Sequence, residues 1–145
     1  MKTFPMVLAT GLLMAGVALA HQGVKDPHIK ARMHAMSMAG EASKTLGEMA
    51  KGKQAFDPQI AQQARRDLLQ ISTEIPALFE IEAMDLVTEA TPDIWSNFAK
   101  FERQAGAMQK AVAALDTSSA QNIARGMRAV GRSCGGCHKS FRLEK

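Results

Sequence analysis

Tyrosine is absent from this chain of 145 residues, and six phenylalanines and one tryptophan are its only aromatics. Ten methionines supply part of the core volume that aromatics leave unfilled, since a thioether packs irregular gaps well. No basic run is interleaved with aromatics, and the formal net charge of +4 is mild, so nothing argues for nucleic-acid binding. No stretch shows the two-residue alternation of strands, and there are no internal repeats or low-complexity segments. Two cysteines are too few for a disulfide framework.

Long apolar runs are missing too, with one exception. Met6 to Ala20 is an uncharged, mostly apolar stretch of 15 residues, preceded by the positive Lys2. It falls short of the ~20 residues that cross a bilayer as a helix. Ala18-Leu19-Ala20 gives the small-x-small pattern of signal-peptidase cleavage. Residues 1–20 therefore read as a signal peptide, cleaved after Ala20, with an uncleaved anchor as the alternative. Residues 21–145 read as one domain, exported to the periplasm and not inserted in a membrane.

Four helical periodicities are present. The first runs from about Pro27 to Lys51, with Ile29, Met33, Met36, Gly40, Ser43, Gly47 and Ala50 as its expected buried stripe, and ends at Gly52. Asp57-Pro58 opens the second as N-cap and first-turn proline, Ile60, Ala64, Leu68, Ile71 and Ile75 form its stripe, and Pro76 is expected to stop it. Thr91-Pro92 opens the third, followed by Ile94, Phe98, Phe101, Ala105, Met108, Val112 and Leu115. Ser118 and Gln121 are spaced for a capping box ahead of the fourth, which carries Ile123, Met127, Val130, Cys134, Cys137 and Phe141. The expected fold is an all-α, antiparallel up-down-up-down four-helix bundle. Its long, partly apolar second connection is expected to pack over one end.

Cys134-Gly135-Gly136-Cys137-His138 closes the last helix. Two thiols three residues apart share a helical face, and each can add to one vinyl group of a protoporphyrin. The imidazole that follows then comes under the iron, making His138 the proximal ligand. The alternatives fit less well. A disulfide would have to close a tight loop. A thioredoxin-like pair would follow a strand and open a helix, and a zinc site needs a fourth ligand. One covalent haem c is the cofactor this pattern calls for.

A leader, four helices and a single haem motif near the C-terminus resemble the class II cytochromes c, the cytochrome c′ family. The local carriers are Ile29-Lys30-Ala31-Arg32 with Met36, Lys51-Gly52-Lys53 with Phe56-Asp57, Pro92-Asp93-Ile94-Trp95, and Cys134 to Arg142. The resemblance implies a periplasmic haem protein without substrate chemistry of its own. It places Met36 at the family's distal position, four residues after Arg32, where low-spin members carry a ligating methionine. Low-spin His138–iron–Met36 ligation implies an electron carrier acting on redox partner proteins. A Met36 that only fills space above an open iron implies instead a five-coordinate protein that binds nitric oxide or carbon monoxide. Met33 and His34 are further candidates for the distal ligand. The resemblance also makes Arg32 a candidate contact of a haem propionate, against a solvated surface role, Arg142 a candidate either to contact a propionate or to shield the proximal side, and a homodimer through the first two helices a candidate assembly.

Charge is unevenly laid out. Glu74, Glu80, Glu82, Asp85, Glu89 and Asp93 have no basic residue between them, whereas Arg125, Arg128, Arg132, Lys139, Arg142 and Lys145 face Glu144 alone. Such a layout orients an encounter between proteins more than it tightens it.

Overall fold

The computed structural model describes residues 24–144; the leader, its cleavage after Ala20, His21 and Lys145 lie outside them. Helix α1 spans Pro27–Ala50, α2 Pro58–Leu78, α3 Asp93–Ser96, α4 Phe98–Ala113 and α5 Ala120–Phe141. Each of the four long helices packs on two neighbours, α1 on α2, α2 on α4, α4 on α5 and α5 on α1, which is a four-helix bundle. Among the described residues there is no strand, only an isolated bridge between Ala90 and Arg142. No described helix is long and apolar enough to cross a membrane.

The helix ends follow from their own residues. Asp26 and Asp57 cap α1 and α2, each accepting from the amides two and three residues on, with Pro27 and Pro58 at the first helical position. Helix α1 closes in a Schellman turn. Gly52 takes a φ of 68°, its amide donates to the Met49 carbonyl, and the Lys53 amide donates to Glu48.

Three expected ends move. The cap of α5 is Ser119, whose hydroxyl accepts from the Asn122 amide, and not Ser118. Ser119 has the extended backbone a cap needs, while the Ser118 amide donates to the Asp116 carboxylate, which draws Ser118 into a turn. Helix α2 does not stop at Pro76 but runs on to Leu78. The Ser72 and Thr73 hydroxyls both donate to the Leu69 carbonyl, a bonding that bends helices, and a proline in the last turn forfeits one bond only. The third expected helix begins as the single turn α3 and breaks at Asn97 (φ −139°, ψ 50°) before α4 continues.

The buried face of α1 also differs from the expected stripe. Its centre is Ile29, Arg32, Ala35, Ala39, Ala42, Leu46 and Met49. Met33 and Met36 lie on its half-buried flank, and Gly40 is exposed. The reason is chemical: a buried arginine scores as polar in any hydropathy pattern, and small alanines weigh little in one, though Ala35, Ala39 and Ala42 are buried. In α2, Ala61 takes the core position expected of Ile60, which is exposed.

Candidate functional site

Helix α5 places Cys134 and Cys137 on one face, half-buried, unbonded to each other and packed against the core. Burial pushes both thiols above their ordinary values. For Cys137 the neighbouring Cys134 adds to the effect, and for Cys134 a hydrogen bond involving Ser133 opposes it. His138 follows at the solvent edge. Burial of part of the ring, then Arg142, pushes its imidazole below the ordinary value, while Glu89 opposes them. At neutral pH the site therefore offers two protonated thiols and a neutral imidazole, the form of histidine that binds a metal. A Cβ on Gly131, Gly135 or Gly136 would meet nothing within 4 Å, so the backbone beside the thiols is open to close approach.

Across the bundle, α1 packs on α5 and turns Met36 to the same core cluster that Cys134 and Cys137 touch. Met33 is half-buried, whereas His34 and Met38 are exposed. Beyond Met36, Gly40 has open space where a side chain would stand. This donor set fits a haem c: two thiols on one face, a neutral imidazole next to them, and a thioether on the helix packed against theirs. No group of three or more His, Cys, Asp or Glu residues suited to a metal ion occurs among the described residues.

Arg32 is no solvated surface side chain. It is 3% exposed, and its Nε donates to the Leu78 carbonyl at 2.9 Å, Nη1 to Ala83 at 3.0 Å and Nη2 to Ile81. The guanidinium lies 4.7 Å from the Phe79 ring centroid and 5.2 Å from that of Trp95, whose Nε1 donates to the Phe79 carbonyl at 2.7 Å. Arg32 thus clamps the start of the α2–α3 connection. Burial lowers its pKa, with Asp26 acting against the shift.

Arg142 pairs with Glu89 of the same connection, Nε and Nη2 reaching one carboxylate oxygen at 2.6 and 2.5 Å. Around that pair the Thr91 amide donates to the Phe141 carbonyl at 3.0 Å, and the Leu143 amide to Glu89 at 2.8 Å. Phe141 is buried, edge-on to Phe101 at 5.4 Å. The connection thereby ties α1, one turn before Met36, to the residues just after His138. Sequence reading missed the clamp. Its one visible signal was the lone Trp95, an indole that needs a hydrogen-bond acceptor when it is buried.

The family profile described as cytochrome C′ matches residues 27–142. The chain is 30% identical to cytochrome c-554 of Cereibacter sphaeroides, with 98% of each chain covered. It is 27% identical to cytochrome c-556 of Rhodopseudomonas palustris, with 90% of each covered. Among solved structures, cytochrome c′ from Rhodopseudomonas palustris superposes with a TM-score of 0.74 at 28% identity, covering 83% of this chain and 99% of that one.

Proposed function

This chain belongs to the cytochrome c′ family and carries one covalently attached haem c, and from that premise we propose that it is a periplasmic carrier of single electrons. Cys134 and Cys137 would hold the haem, each adding its S–H across one vinyl group to leave a thioether. His138 and Met36 would supply the protein's ligands to the iron. The haem supplies an iron that takes up and gives back one electron. His138 and Met36 both stand on helices packed in the bundle, so that little would move when the charge changes.

The observation that carries this reading is the placement of Met36. Of the three candidates Met33, His34 and Met36, it alone is both half-buried and packed against the cluster that Cys134 and Cys137 touch. A thioether there is a soft ligand within the bundle, whereas exposed His34 would have to cross the helix face to compete.

The test is the ferric absorption spectrum of the purified protein. A weak far-red band from sulfur–iron ligation, lost in Met36→Ala, is the expected result. High-spin bands in the parent protein, with ready carbon monoxide binding that Met36→Ala leaves unchanged, would establish the gas-binding alternative instead.

A further inference from the structure

Among the described residues, eight large hydrophobic side chains are exposed, and five of them gather in one place. Ile81, Met84, Leu86 and Val87 lie in the α2–α3 connection, and Leu143 is hydrogen-bonded to it through Glu89. Leu86 is fully exposed. Leaving such area in water forgoes about 25 cal/mol for every Å². A loose loop would fold some of it away, but this connection is held on every side. Arg32 grips the carbonyls of Leu78, Ile81 and Ala83. The Asp85 carboxylate accepts from the Val87 and Thr88 amides at 3.0 and 2.8 Å, forming a turn with Leu86 in it. Glu89 and Thr91 are tied to the end of α5.

The connection carries acidic charge only, and the one cation at its edge, Arg142, is paired with Glu89. Between Arg66 and Lys100 there is no lysine or arginine, while Glu80, Glu82 and Asp93 are exposed. An apolar centre with an acidic rim, fixed before any partner arrives, is the composition of a docking surface. The basic face of α5, with Arg125, Arg128, Arg132 and Lys139 exposed, has no exposed large hydrophobic residue to serve as a centre.

We propose that the α2–α3 connection is the docking surface for a redox partner that presents an apolar patch rimmed with lysines. The proposal rests on the electron-carrier reading above. The patch adjoins residues 141–143, within five residues of His138, so a partner seated there lies near the end of α5 that would hold the haem. In the docked pair the haem that Cys134, Cys137 and His138 would hold would give one electron to an oxidised haem partner, with no proton or bond exchanged.

The probe is a lysine-rich cytochrome c of the mitochondrial type, zinc-substituted so that binding is read without electron transfer. It is titrated into the ferrous holoprotein while backbone amide shifts are followed. Shifts centred on residues 80–91 and 143 are expected, fading as salt is added. Leu86→Ser and the double variant Glu80→Gln/Glu82→Gln should each weaken binding at least about fivefold, and Arg128→Gln should not. Because Leu86 and both glutamates are exposed, these variants fold as the parent does.

Shifts centred on the basic face of α5, or unchanged affinity in both loop variants, overturn the proposal. So does an altered absorption spectrum in Leu86→Ser, which would put the patch against the haem, or self-association mapped to the same amides, which would make a second copy its occupant. A missing far-red band in the parent protein strikes the carrier reading alone and leaves the binding result to stand or fall by itself.

Discussion

Two glycines of similar appearance in the sequence do opposite things. Gly47 sits inside α1, where a Cβ would meet nothing within 4 Å. Gly47→Ala should raise the unfolding free energy by about 0.5–1 kcal/mol, because alanine loses less backbone entropy on entering a helix. Gly52 holds a φ of 68° at the Schellman turn, and there Gly52→Ala should cost about 1 kcal/mol. Denaturant titration of the two holoprotein variants gives both signs, and stabilisation by Gly52→Ala would contradict the turn. At this scale the candidate site stands out in the sequence: Cys134, Cys137 and His138 announce themselves by type and order. The partners of Arg32 and Arg142 were not, because the carbonyls and the carboxylate they bind lie 46 or more residues away along the chain.

The elements were legible where side chains signal their own ends. Asp57-Pro58 and Gly52 mark theirs by chemistry that needs no tertiary help. The cap of α5 slipped by one residue because Ser118 and Ser119 are both good caps, and only the turn at Asp116 separates them. Ser119→Ala should therefore lower stability by about 1 kcal/mol, and Ser118→Ala by clearly less, as read by thermal unfolding. The register of α1 was hidden for another reason, since no hydropathy pattern credits an arginine with a core position. Arg32→Leu would leave the carbonyls of Leu78, Ile81 and Ala83 without this donor, at an expected cost of about 2 kcal/mol or more. Exchange of the Thr91 amide, which the clamped connection holds against Phe141, should speed up together with the lost stability. If that amide kept its protection while stability fell, Arg32 would be filling space rather than clamping the loop.

Over the whole molecule, the bundle and its haem form one cooperative unit in this reading. Met36 on α1 and Cys134 and Cys137 on α5 border the same core, so the cofactor would bridge two helices that already touch. Preventing attachment with Cys134→Ser/Cys137→Ser should lower the midpoint of thermal unfolding by more than about 10 °C relative to the holoprotein. Equal midpoints would mean that the helices fold without help from the group. The bundle was readable from four periodicities and short connections. The fastening of the long connection to both ends of the site was not, because it depends on contacts between distant segments.

The clamp has an electrostatic consequence of its own. Arg32 keeps its charge in the interior with carbonyl dipoles and aromatic faces around it, and no carboxylate among its hydrogen-bond partners. One helical turn from Met36, its field acts through a poorly screening medium. Such a field favours whichever redox state carries less positive charge, which for an iron centre is the ferrous one. Arg32→Leu should then shift the midpoint potential downward, and Arg32→Lys, which preserves the sign of the charge, should shift it less.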